Sequence, residues 1–71
     1  MPPPRYTAVV RHTGAWWIGW VEEVPGVNSQ GETGEELLDN LRSALEEALE
    51  MNRADAIAAV DGPYEEVSLT P

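Results

Sequence analysis

The sequence contains no cysteine, no lysine and no phenylalanine. The absence of cysteine excludes a disulfide framework, a thiolate metal site and a cysteine nucleophile. Because lysine is also absent, the cations are four scattered arginines, which stand against 13 acidic residues and leave a net charge of −9. A nucleic-acid surface needs clustered cations that displace counterions from phosphates. We therefore expect no direct nucleic-acid binding.

The acidic balance has two explanations. Complementary fields would favour a basic protein partner. Alternatively, the charge keeps a small protein soluble and has no specific partner. Composition and charge leave both explanations open.

Long apolar runs are missing as well. No run approaches the ~20 residues of a membrane helix, and the opening MPPPR lacks the apolar centre of a secretory signal. We expect a cytoplasmic protein that does not bind membranes, with a disordered tail over 1–4 and a single domain over 5–71. A domain of this size buries only about 60% of its unfolded surface. A homodimer or higher homo-oligomer is therefore expected to add stability.

The first half of the chain has the pattern of a strand meander. Residues 5–12 and 16–23 are rich in β-branched and aromatic types, and Thr13-Gly14 separates them. Pro25 and Gly26 then bend the chain, since proline lacks an N–H and glycine tolerates positive φ. A short third strand is predicted over 27–31.

The second half predicts one helix and one more strand. Thr33 and Glu36 have the spacing of a capping box, and leucines and alanines follow at helical spacing. The helix is predicted to end near 51–53 or to continue to 59, before a strand over 64–69. The predicted fold is α+β, β-β-β-α-β, with sheet order 3-2-1-4 and one helix on one face.

The tryptophans of the second strand point to a contact surface. We expect Trp17, Gly19 and Val21 to lie beneath the helix, since glycine permits close packing. The uncovered face would then carry Trp16, Ile18 and Trp20, and exposed apolar patches with tryptophan mark binding sites. Glu22 and Glu23 follow at the strand end and are predicted to join this partner or dimer contact. In the alternative, a tryptophan folds over the sheet edge as local core.

Catalysis finds little support in the sequence. No carboxylate has metal-ligand spacing with His12, the only histidine, and no nucleophile motif surrounds a serine. The glycines between 26 and 34 lack a Walker lysine and Rossmann spacing, so Pro25, Gly26, Gly31, Thr33 and Glu36 are interpreted as structural. We expect a non-catalytic protein without metal or cofactor.

The run WWIGWVEEVPGVNSQGETGEELLDNLRSAL resembles the N-terminal module of the HicB antitoxin family. An aromatic strand precedes an acidic residue and the Pro25–Val27 bend, then QGET, Glu35-Glu36 and Asn40-Leu41 follow. The opening strand over 6–10 also fits. The resemblance covers about residues 5–53 and implies a partial RNase H-like fold without an intact nuclease site.

The same resemblance implies a function. Antitoxins of this family belong to type II toxin–antitoxin systems and mask a small basic mRNA-cleaving toxin. Many members also carry a C-terminal DNA-binding domain, for which residues 64–71 are too few and too acidic. The expected function is therefore toxin binding without DNA binding. The alternative is a solitary HicB-like oligomeric protein-interaction module with no toxin partner.

Overall fold

The computed structural model describes residues 5–69 and contains three strands followed by one helix. The strands are β1 (Ala8–Thr13), β2 (Trp16–Val21) and β3 (Asn28–Gly31), and the helix is α1 (Gly34–Ala58). The strands form one antiparallel sheet in the order β1-β2-β3. This confirms the predicted α+β class and the three-stranded meander. The predicted disordered tail over 1–4 lies outside the described residues.

β1 and β2 form the predicted hairpin. Their register runs from Ala8 opposite Val21 to Thr13 opposite Trp16. Gly14, with φ of 58°, begins the two-residue turn between them. Two-residue hairpin turns need positive φ, which glycine adopts without steric cost.

The bend between β2 and β3 is built as the sequence predicts. Gly26 has a φ of 86°, and the Val21 N–H donates to the Val27 carbonyl at 3.0 Å. Val27 is buried in the core beside Val21 and Leu41. The bend thus brings a core residue into place as well as reversing the chain.

Thr33 caps α1, since its Oγ1 accepts the Glu36 N–H at 3.0 Å. This is the threonine half of the predicted capping box. The helix is 25 residues long and reaches Ala58, close to the longer of its two predicted ends. The buried residues of the helix are Leu37 and Leu41, both in its first two turns. The second half of α1 therefore extends beyond the sheet.

The predicted fourth strand over 64–69 is not formed, and the order 3-2-1-4 is not observed. Residues 63–69 have no regular structure. Arg53 Nε lies 3.3 Å from Glu66 Oε1, which holds the segment beside the outer part of α1. The long helix carries the chain away from β1, so the segment returns along the helix instead of along the sheet.

The close approach of α1 to β3 gives a stability prediction. A Cβ at Gly31 would lie 2.7 Å from the Leu37 backbone nitrogen, whereas a Cβ at Gly34 would meet only the Trp17 ring, at 3.8 Å. We expect Gly31→Ala to lower the free energy of unfolding by about 1–3 kcal/mol through overpacking. Gly34→Ala is the matched control and is expected to cost nothing or to gain up to about 1 kcal/mol. Urea unfolding measures both; equal midpoints would contradict the assignment.

Candidate binding surface

The sheet side opposite α1 is the first candidate surface, and β2 fixes which residues it presents. A Cβ at Gly19 would lie 3.2 Å from Leu37 Cδ2, and Val21 is buried, so both face the helix. Side chains alternate along a strand. Trp16, Ile18 and Trp20 therefore face away from the helix, as the sequence predicts.

The exposure of these side chains agrees with that geometry. Trp16 and Trp20 are 45% and 44% exposed, and Ile18 between them is half-buried. Val9 lies opposite Trp20 on β1 and is 49% exposed. We call Val9, Trp16, Ile18 and Trp20 the open-face patch.

Polar groups surround the open-face patch. Arg11 lies opposite Ile18 on one side of β2, and Gln30 lies opposite Ile18 on the other. Asn28 lies opposite Trp20, and a shallow depression runs between this pair and Gln30. An apolar centre with a polar rim is the usual anatomy of a protein-binding surface.

Trp17 occupies the helix side of β2, in contact with the start of α1. Its ring stacks on the His12 imidazole with the two centroids 4.3 Å apart and the planes 4° from parallel. The sequence analysis did not predict this stacking. The hairpin register could have indicated this contact, because it places His12 directly opposite Trp17 on the neighbouring strand.

The two glutamates predicted at the contact have different surroundings. Glu22 extends the β1–β2 ladder, since its N–H donates to the Thr7 carbonyl at 2.9 Å. Glu23 Oε1 accepts the Thr7 N–H at 2.7 Å. This hydrogen bond stabilises the carboxylate and lowers the pKa of Glu23 below its ordinary value. Glu23 thus fixes the start of β1, a structural role that sequence reasoning missed.

Asn40 is a second structural residue that the sequence did not single out for that role. Its Nδ2 donates to the Gln30 carbonyl at 3.0 Å, which ties α1 to β3. The backbone of Gln30, whose side chain lies on the polar rim, is therefore held from the helix side. Asn40 belongs to the run that carries the family resemblance.

A second surface, not predicted, lies between β1 and α1. The helix packs over β2 and β3, so the helix side of β1 stays uncovered: Tyr6 and Val10 are each 40% exposed. We call the resulting depression the β1 groove; it is lined by Tyr6, Thr7, Ala8, Val21, Leu38, Leu41, Arg42 and Leu45. Its lining is mainly apolar, and it lies on the opposite sheet side from the open-face patch.

The described residues 5–69 contain no group of three or more His, Cys, Asp or Glu side chains placed to hold a metal ion. Within the same range no helix has the length and apolar character needed to cross a membrane. Comparisons with protein-family models, curated proteins and solved structures find no match to this chain.

The Glu23–Thr7 hydrogen bond predicts a pH dependence. Because the folded-state pKa of Glu23 is lowered, the bond contributes stability above the ordinary glutamate pKa and loses it as the pH falls through the lowered pKa. We expect Glu23→Gln to reduce the fall in unfolding free energy across this acidic window.

Glu22→Gln is the matched control, because it removes the same charge from the neighbouring residue and leaves the bond to Thr7 intact. Urea unfolding at a series of acidic pH values gives the comparison. Identical pH profiles for the two variants would contradict the structural role of Glu23.

Proposed function

We propose that this chain is a HicB-like antitoxin of a type II toxin–antitoxin system. It binds a small basic mRNA-cleaving toxin by protein–protein contact and has no catalytic role of its own. The open-face patch is the observation that carries the proposal. A chain with a net charge of −9 leaves two tryptophans nearly half exposed on a sheet face that none of its described elements covers.

The chemistry of the patch suits this role. Tryptophan is enriched among residues that dominate binding energy, particularly when the rim around it is polar. The rim here contains the amides of Asn28 and Gln30 together with Arg11, and the exposed Glu22 follows β2. The rest of the acidic surface supplies long-range attraction, which speeds the encounter with a basic toxin.

The resemblance over residues 5–53 supports the identity of the partner. It supplies the expectation of a basic ribonuclease and of a cytoplasmic setting for the complex. The fourth strand over 64–69 remains part of the proposal as a feature of the assembled state, since the single chain does not form it.

A solitary homo-oligomeric module is the second candidate. It is favoured by the exposed apolar side chains outside the open-face patch, among them Met51 on α1 and Tyr64, Val67 and Leu69 after it. A small domain with this much exposed apolar surface gains stability from association with its own copies. In that case the open-face patch has a different protein partner or none.

Co-purification tests the leading proposal. A short basic protein encoded in the adjacent reading frame is co-expressed with this chain, and complex formation is expected at low salt. Trp16→Ala and Trp20→Ala are each expected to weaken the complex at least about tenfold, because truncation removes a central aromatic anchor.

Met51→Ala is the matched control, since Met51 is 66% exposed on α1 and lies outside the patch. Binding by calorimetry is expected to be unchanged in this variant. The absence of a complex with the basic neighbour, or equal losses in all three variants, would overturn the proposal.

A further inference from the structure

The outer edge of β1 has no strand beside it among residues 5–69. The Thr7 carbonyl accepts the N–H of Glu22, which directly follows β2, so the backbone groups of Thr7 point toward β2. Backbone groups alternate between the two sides of an antiparallel strand. The N–H and C=O groups of Ala8, Val10 and His12 therefore point outward, and such a row is a template for another strand.

The segment after α1 has the properties of a strand that lacks a partner. Residues 64–69 have the sequence YEEVSL, and Tyr64, Val67 and Leu69 are 51%, 74% and 92% exposed. Val67 and Leu69 alternate with Glu66 and Ser68, which is the pattern of a strand with one apolar face. Val67 and Leu69 in particular remain mostly exposed in the isolated chain.

While the Arg53–Glu66 pair is closed, this segment does not reach the β1 edge of its own chain. Leu45 lines the β1 groove beside Tyr6, and α1 continues past it to Ala58, about 20 Å further at 1.5 Å per residue. The chain then turns back and passes Arg53 at Glu66. The three residues 67–69 extend at most about 10 Å, whereas the start of β1 lies about 12 Å further back along the helix.

The overall dimensions show that the outer part of α1 and the segment after it project away from the sheet. The radius of gyration is 15.2 Å, against about 11 Å for a compact domain of this length. The longest dimension is 51 Å, about twice the next. An outer helix and an unpaired segment that project this far are well placed to reach a second molecule.

The charge distribution favours pairing of residues 64–69 with the β1 edge of a second copy. Arg42 lines the β1 groove, Arg5 precedes β1 in the sequence, and Arg11 lies on β1 with its side chain on the open-face side. The segment and the turn before it carry Asp61, Glu65 and Glu66. Local attraction between these groups opposes the repulsion between two chains of charge −9. The Arg53–Glu66 pair that must open is exposed on both sides and contributes little.

We propose that residues 64–69 of one copy pair with the outer edge of β1 of a second copy, and that the exchange is reciprocal. Each sheet then gains a fourth strand beside β1, and the incoming apolar side chains cover the β1 groove. The contact is a two-fold exchange of identical segments. It leaves the open-face patch free and is independent of toxin binding.

The oligomeric state of the full chain gives the first test. Light scattering at tens of micromolar is expected to show a dimer. Val67→Pro removes an N–H from the incoming segment and is expected to raise the dimer dissociation constant at least tenfold. Trp20→Ala is expected to leave dimerisation unchanged. A strict monomer, or a dimer lost in Trp20→Ala and kept in Val67→Pro, would overturn the proposal.

Disulfide trapping gives the second test, because the natural chain has no cysteine. A chain carrying both Val10→Cys and Val67→Cys is oxidised, and a disulfide-linked dimer is expected. The control carries Met51→Cys with Val67→Cys and is expected to cross-link far less. A disulfide within single chains of the first variant would mean that the segment reaches its own β1, which would refute the exchange.

Discussion

The seating of Leu37 over two glycines is the contact on which the rest of the structure depends. Leu37 is fully buried, and its side chain approaches Gly19 of β2 while its backbone approaches Gly31 of β3. A Cβ at Gly31 would lie 2.7 Å from the helix backbone, which would have to shift, and a Cβ at Gly19 would crowd the Leu37 side chain. With the helix this close, β2 has one defined inner side, and the direction of every other side chain in that strand follows. The exposure of Trp16 and Trp20 is thus a consequence of a packing contact on the opposite side of the sheet.

The same seating leaves β1 incompletely covered. The helix packs over β2 and β3, so it does not also cover β1. Tyr6 and Val10 therefore remain partly exposed, and the β1 groove forms where a larger domain would place another element. The start of β1 needs local support for this reason, and the Glu23 carboxylate supplies it by accepting the Thr7 N–H.

Features set by neighbouring residues were predictable from the sequence. The hairpin, the Pro25-Gly26 bend and the Thr33 cap each depend on a few adjacent side chains. The orientation of the tryptophans was also predictable, because Gly19 identifies the strand side that a helix approaches. Contacts between distant residues were not: Glu23 meets Thr7 from 16 positions away, and His12 stacks on Trp17 only once the hairpin register is fixed.

The fourth strand was mispredicted because the chain after α1 lies beside the helix and not beside β1. Residues 64–69 have the local pattern of a strand, but in this structure the Arg53–Glu66 pair holds the segment beside α1. The sequence after Arg53 contains no helix-stopping residue before Asp61-Gly62-Pro63, and α1 accordingly runs on to Ala58. The segment therefore has the pattern of a strand but no partner strand among residues 5–69.

In the proposed exchange, a second molecule supplies that partner strand without using the surface proposed for a toxin. The β1 edge and its groove lie at the side of the sheet, whereas the open-face patch lies on the face turned away from α1. Self-association through the edge places arginines near acidic residues. Self-association through the patch would instead bring two Arg11 side chains toward one another around the same apolar centre. Two chains of charge −9 also repel one another, whereas a basic partner is attracted, so the whole-chain charge favours a basic partner at the patch over a second copy.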